Sequence, residues 1–198
     1  MTDFLNKLKE NSQEIDKFLD AHLPFGNGLS KKLFESMRYS SISGGKKIRA
    51  FLVLETGKLL SVINGQNISK SKYNELIAIA SVIEAVHSYS LIHDDLPSMD
   101  NDDLRRGNPT THKKYDEATA ILAGDALQPL AFELLSQIDA PDQSKLAIIN
   151  NIANACGHLG MVGGQIKDIH SDDIKDVEAL DLMHSQKTGR LIQTSLET

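Results

Sequence analysis

Cysteine is almost missing from this chain of 198 residues. The single one, Cys156, excludes an internal disulfide framework and suits a reducing compartment. Positive charge is also short. Against 27 Asp and Glu stand 21 Lys and Arg, and the net charge of −6 offers no global attraction to nucleic acid or an anionic membrane. No uninterrupted apolar run reaches the ~20 residues of a membrane span. The best stretch, Leu76 to Ile92, is broken by Glu84 and His87. The opening segment MTDFLNKLKENSQE has no basic start leading into an apolar run and does not read as a signal peptide. The expectation is a soluble cytoplasmic protein with no membrane span and no nucleic-acid partner. Alternating strand patterns, internal repeats, low-complexity tracts and domain linkers are absent as well.

What is present is helical periodicity. From Asp3 to Leu19, the residues Phe4, Leu5, Leu8, Ile15, Phe18 and Leu19 recur at helical spacing. PFGNGLS, from Pro24, breaks that pattern, and Leu29 to Tyr39 resumes it. Gly44–Gly45 precede a helix predicted over Lys46 to Val62, and Asn64–Ser71 reads as a polar loop. Tyr73 to Ile92 is long and nearly uncharged, as expected of a helix buried on most of its circumference. Another helix is predicted from about Lys113 to Ile138, with a kink at Pro129. After a turn at Asp139–Asp142 come helices over Gln143 to Cys156 and Met161–Ile169, a loop or cap in SDDIKD, and a helix from Val177 onward. The reading is one all-α domain over residues 1–198, with its last element cut short.

The most informative stretch follows the uncharged helix. HDDLPSMDNDDLRRGNPTTH holds Asp94, Asp95, Asp100, Asp102 and Asp103, then Arg105 and Arg106. Two like charges at contact distance repel by ~4 kcal/mol at an effective dielectric of about 20. Such a cluster needs bound cations or the neighbouring guanidinium groups as an offset. Aspartate-rich loops also serve as solvated connectors and helix caps. An EF-hand does not fit, since no register supplies its ligand alternation with a central Gly and a closing Glu. Hard cations such as Mg2+ take carboxylate oxygen, keep several waters and bridge to phosphates. Arginine captures phosphate through paired hydrogen bonds. The segment therefore reads as a Mg-diphosphate site.

Other clusters accompany it. Seven residues of ideal helix turn through about 700°, within about 20° of two full turns. His87 therefore lies on the Asp94 face, with Ser90 between them. In GGKKIRA, Lys46 and Arg49 are three apart and would share a helix face, behind two glycines that leave backbone N–H groups open to an anion. GGQIKDIH spaces Gln165 and Asp168 by three, and HSQKTGR sets Lys187 before Thr188 and Gly189. Each alone would pass for surface or packing chemistry. Their order along one chain carries the information.

In that order, GGKKIRAFLVLETG, EAVHSYSLIHDDLPSMDNDDLRRGNPTTH, ILAGDALQPLAFELL, MVGGQIKDIH and QKTGRLI resemble the trans-prenyltransferases, in particular bacterial farnesyl diphosphate synthases (geranyltranstransferases). The likeness covers nearly the whole chain and is weakest before about residue 40. It implies an isoprenoid-synthase bundle of long helices around a deep central cavity, usually a homodimer. It also implies Mg2+-dependent head-to-tail condensation of isopentenyl diphosphate with dimethylallyl or geranyl diphosphate. The products would be trans,trans-farnesyl diphosphate and diphosphate, in isoprenoid biosynthesis. Asp94, Asp95 and Asp100 match the first aspartate-rich motif and would bind more than one Mg2+ ion, bridging carboxylates and diphosphate. Those three with Arg105 and Lys187 would be the catalytic set; Arg105, Gln165, Lys187 and Thr188 would bind the allylic diphosphate. Lys46, Arg49, His87 and Arg106 match the isopentenyl diphosphate positions. Tyr89, with Ser90, would close the cavity floor and set chain length. Ideal helix geometry puts Tyr89 about 140° from Asp94, so that role comes from the resemblance alone.

The resemblance also calls for a second aspartate-rich motif, DDxxD, in a later helix. None follows Lys187–Thr188, and Asp172–Asp173 lie in the wrong place and pattern. The C-terminal helices of the fold are expected to be missing from this chain. The alternatives are a geranylgeranyl diphosphate synthase, or a non-catalytic prenyltransferase-like subunit.

Overall fold

In a computed structural model that describes residues 2–42 and 44–198, nearly every apolar stripe becomes a helix. The chain begins with α1 (Thr2–His22), α2 (Lys31–Ile42), α3 (Ile48–Ile63) and α4 (Lys70–Asp94). A short antiparallel hairpin, β1 (Leu104–Arg105) and β2 (Asn108–Pro109), follows the first aspartates. Then come α5 (Thr111–Lys114), α6 (Glu117–Ser136), α7 (Asp142–Cys156), α8 (Met161–Ile169) and α9 (Val177–His184). A π-helical turn over Ser185–Gly189 leads into α10 (Arg190–Glu197).

α4 is the axis, with α1, α2, α3, α6 and α10 all packed on it. Ile77 to Val86 is buried without a break. A helix with no solvent-facing stripe has nowhere to place an unpartnered charge, which explains the composition of that segment. Glu84 is its buried exception: the carboxylate accepts the Ala50 N–H at 3.1 Å, one of the donors that the start of α3 would otherwise leave orphaned. α6 buries Ala120, Ala123, Gly124, Leu127 and Ala131, small residues at helical spacing that allow close approach to α4. Fully buried aliphatic side chains such as Ile15, Leu54, Ile83 and Leu135 contribute about 1.5–3 kcal/mol each. Leu8, Ile15 and Leu19 form the buried stripe of α1, whereas Phe4 and Leu5, counted with them from the periodicity, are exposed.

Several boundaries differ from the sequence-based reading, each for a local reason. α3 starts at Ile48, so Lys46 and Arg49 do not share a helix. Gly44, Gly45 and Lys47 take φ of 85°, 106° and 44°, and the chain is still turning at Lys46. Lys47 then points inward, with Nζ 3.1 Å from both Ser41 O and Asp16 Oδ1. The helix predicted from Lys113 to Ile138 is broken at Tyr115–Asp116, where the Asp116 carboxylate caps α6 by accepting the Thr119 N–H at 2.7 Å. Pro129 lies inside α6, which continues to Ser136. The hairpin was not anticipated either. Arg106 and Gly107 hold φ of 55° and 80°, the two left-handed positions of a type I′ turn, with Arg where Asn or Gly is usual.

Among the described residues, α4 and α6 are long and apolar enough to cross a membrane by length and composition, contrary to the expectation drawn from the interrupted run. In the bundle 67% of the apolar window of α4 and 39% of that of α6 is already buried against protein.

Candidate active site

The C-terminal end of α4 opens into a cavity of about 330 Å3. α4 contributes His87, Tyr89, Ser90, His93 and Asp94 to its wall, and α3 contributes Arg49. α8 supplies Gln165 together with Met161, Val162, Ile166 and Ile169, and the π turn supplies Lys187 and Thr188. Gln165 donates its amide N–H to Asp94 Oδ1. Lys187 Nζ lies 3.6 Å from the same oxygen and pairs directly with Asp168. Gly164 makes this possible, because a Cβ there would sit 2.1 Å from the Lys187 backbone nitrogen. The widened turn brings both Lys187 and Thr188 to the cavity, a use of π geometry common at functional sites.

The charges here are poorly balanced. Burial pushes the Asp100 carboxyl pKa up, and the neighbouring Asp94 charge adds to this. Burial opposes the charge on Lys187, but its bond to Asp168 and the fields of Asp94 and Asp100 prevail and raise its pKa. Asp94 and Asp100 are thus mutually repelling hard oxygen donors with one ammonium between several carboxylates. That donor set fits a divalent cation. Among the described residues no three His, Cys, Asp or Glu side chains converge as a preformed cage.

A second cavity, of about 500 Å3, adjoins the first through a shared wall of Arg49 and His87. Gly45, Lys46, Lys47, Ile48, Glu84 and Arg106 complete it. The hairpin turn delivers Arg106, whose Nη1 donates to Gly44 O at 2.6 Å. A Cβ on Gly45 would lie 2.2 Å from that nitrogen and displace the guanidinium, and the φ of 106° there favours glycine in any case. Arg49 Nε is buried and has no hydrogen-bond partner among the described residues. Burial lowers the Arg49 pKa, with Glu84 opposing and Arg106 reinforcing the shift. Burial first, and then the charges of Arg49, Arg106, Arg105 and Lys47, hold the His87 pKa down to about 3. A neutral imidazole among cations, beside an unpartnered guanidinium N–H, describes a site short of an anion.

Lys46, Arg49, His87 and Arg106 are therefore brought together, and so are Asp94, Gln165, Lys187, Thr188, Tyr89 and Ser90. Asp95, Asp100 and Arg105 line neither cavity, though the Asp100 N–H donates to the Asp94 backbone carbonyl at 2.9 Å. Arg105 Nε donates to Asp95 Oδ1 at 2.9 Å and Nη2 to Asp102 at 3.2 Å, and the pair lines a separate crevice of about 30 Å3. Burial raises the Asp95 pKa against the pull of Arg105, whose own pKa is raised by that carboxylate. Tyr89 is buried at the cavity wall, edge-on to His93 at 6.0 Å, and burial, with the field of the neighbouring Cys156, raises its phenol pKa. Lys47, Glu84, His93 and the apolar face of α8 were not anticipated as site residues. Glu84, a charge in an otherwise uncharged helix, was a signal that could have been read.

Residues 30–198 match the polyprenyl synthetase family. The chain is 44% identical over 193 residues to the farnesyl diphosphate synthase of Escherichia coli K12, covering 96% of this chain and 60% of that protein. It is 42% identical over 199 residues to the farnesyl diphosphate synthase of Haemophilus influenzae, covering 100% of this chain and 64% of that one. The crystal structure of an FPP/GFPP synthase from Zymomonas mobilis, 39% identical, superposes with a TM-score of 0.91 over 100% of this chain and 70% of its own. The chain thus spans about three fifths of the length of these curated relatives. With the helical fold and the matched residues, these likenesses show that it belongs to the polyprenyl synthetase family of trans-prenyltransferases.

Proposed function

We propose that this protein condenses isopentenyl diphosphate head-to-tail with dimethylallyl or geranyl diphosphate, releasing diphosphate and giving trans,trans-farnesyl diphosphate. The observation that carries the reading is the shared Arg49–His87 wall, which sets a cavity with a carboxylate mouth and apolar depth beside a second, cation-lined one. Residues 1–198 are taken as one domain, and the working form as a cytoplasmic homodimer, as the family resemblance implies.

Asp94 and Asp100 would hold Mg2+, which when bound supplies positive charge to the departing diphosphate. Lys187 adds an ammonium on the same side, and Gln165 and Thr188 present further donors to the allylic diphosphate. Charge grows on the leaving oxygen as the C1–O bond breaks, so preorganised donors stabilise the transition state more than the ground state. Met161, Ile166 and Ile169 surround the allylic chain with apolar surface and keep water from the developing cation. Lys46, Arg49 and Arg106 hold the isopentenyl diphosphate, with the Arg49 Nε–H as its buried contact. Its double bond attacks C1, and the proton then lost passes to the departing diphosphate. Holding both substrates across one wall removes much of the entropy cost of their encounter. Asp95 and Arg105 brace the segment between Asp94 and the hairpin. Tyr89 closes the chain path at the length of a farnesyl group.

The test is incubation with Mg2+, geranyl diphosphate and labelled isopentenyl diphosphate, followed by identification of the product chain. A farnesyl product supports the whole reading. A geranylgeranyl product keeps the reaction and overturns the role of Tyr89. Binding of both diphosphates with no product overturns the catalytic reading in favour of a diphosphate-binding subunit.

A further inference from the structure

His93 precedes the first aspartate and faces the allylic cavity, yet no step above uses it. Its ring is held on three sides. Nε2 lies 3.1 Å from Ile121 O on α6, and because a carbonyl only accepts, that nitrogen carries the proton. Tyr89 stands edge-on at 6.0 Å, with the ring planes at 70°. Gly124 forms a notch in α6 beneath it. A Cβ there would lie 2.2 Å from Nε2, 2.6 Å from Cδ2 and 2.8 Å from Cε1. The ring can occupy its place only because residue 124 has no side chain. Displaced from the notch, it loses its bond to Ile121 and has the cavity to move into.

We propose that His93, seated in the Gly124 notch, is a specificity-determining residue that sets the room available to the allylic chain between Asp94 and Tyr89. The proposal rests on the function proposed above. Removing the imidazole widens the cavity beside Tyr89. Filling the notch drives the imidazole into the path of the chain. The two changes act in opposite directions through one side chain, so removing the ring should cancel the effect of filling the notch.

The experiment is calorimetric titration, with Mg2+ present, of geranyl and geranylgeranyl S-thiolodiphosphate into the parent protein, His93→Ala, Gly124→Ala and the double variant. His93→Ala is expected to gain about tenfold in affinity for the geranylgeranyl analogue, and Gly124→Ala to lose about tenfold for the geranyl analogue, the scale of discrimination by pocket volume. The double variant should recover the geranyl affinity, with isopentenyl diphosphate binding unchanged throughout. Unchanged length preference in His93→Ala, or a double variant no better than Gly124→Ala, overturns the proposal. Should Gly124→Ala fail to fold by circular dichroism, His93→Ala decides alone. Failure of the parent protein to bind either analogue instead overturns the function on which the proposal stands.

Discussion

Two cavities meet at the Arg49–His87 wall, and they differ in how charge is arranged. The first has Asp94 in its wall, with Asp100 close enough to be perturbed by it, and a single ammonium from Lys187. The second has Lys46, Lys47, Arg49 and Arg106 against one carboxylate, Glu84, which is committed to the Ala50 N–H. Apart from the shared Arg49, a diphosphate entering the first meets Asp94 and Asp100 with the Lys187 ammonium already paired to Asp168, unless a cation comes with it, whereas one entering the second meets cations already in place. Metal dependence should therefore be confined to one side of the wall, although both ligands carry the same head group.

Predictions that would break or sharpen this contrast fall in order of size. Asp94→Ala removes an oxygen donor from the first cavity and should lower turnover at least ~1000-fold, about 4 kcal/mol in the barrier. Its melting temperature should stay close to that of the parent, because Asp94 supports no buried contact beyond Gln165 and Lys187. Near-normal turnover would remove Asp94 from the site. Arg106→Ala acts on the second cavity only. It should raise the KM for isopentenyl diphosphate roughly thirtyfold, in line with loss of a charge-assisted contact of about 2 kcal/mol. The affinity for the allylic partner should not change; equal losses on both sides would mean that the cavities are not separate.

Tyr89→Ala should lengthen the product by at least one five-carbon unit at comparable total turnover. A product mixture identical to that of the parent would place the floor elsewhere.

The smallest effect concerns stability. The folded protein holds His87 neutral down to about pH 3, while an unfolded histidine takes up its proton near 6.5. Between those values the unfolded state binds more protons, so His87 makes the protein less stable as pH falls through that window, approaching about 1.4 kcal/mol per pH unit. His87→Gln cannot titrate, and its denaturant midpoint should fall less steeply with pH than that of the parent. Parallel slopes would show that the cationic surroundings of His87 do not suppress its protonation.

Much of this arrangement was legible in the residues. The uncharged run before Asp94 announced a helix enclosed on all sides, and Ile77 to Val86 is just that. The Gln165–Asp168 spacing placed both on one face of α8, and the structure brings them to Lys187 and Asp94. What stayed hidden depends on backbone geometry that residue type does not announce. Lys46 and Lys47 are chemically alike and both line the second cavity, yet the Lys47 ammonium is buried against Asp16, at a left-handed φ. The Arg106–Gly107 turn lacks the usual Asn, and the hairpin that separates Arg105 from Arg106 went unseen. The sequence shows the charges of Asp95 and Arg105 but not their pairing. In the folded chain they satisfy each other. The notch at Gly124 was equally silent, since a glycine in a helix discloses nothing about what fills the space above it.

The most direct test of the division between the cavities is calorimetric titration of geranyl S-thiolodiphosphate and, separately, of isopentenyl diphosphate, each with Mg2+ and with the metal chelated. The account predicts that the allylic analogue binds only when Mg2+ is present and that isopentenyl diphosphate binds under both conditions with nearly equal affinity. An equal requirement for Mg2+ by the two ligands, or none by either, would contradict it.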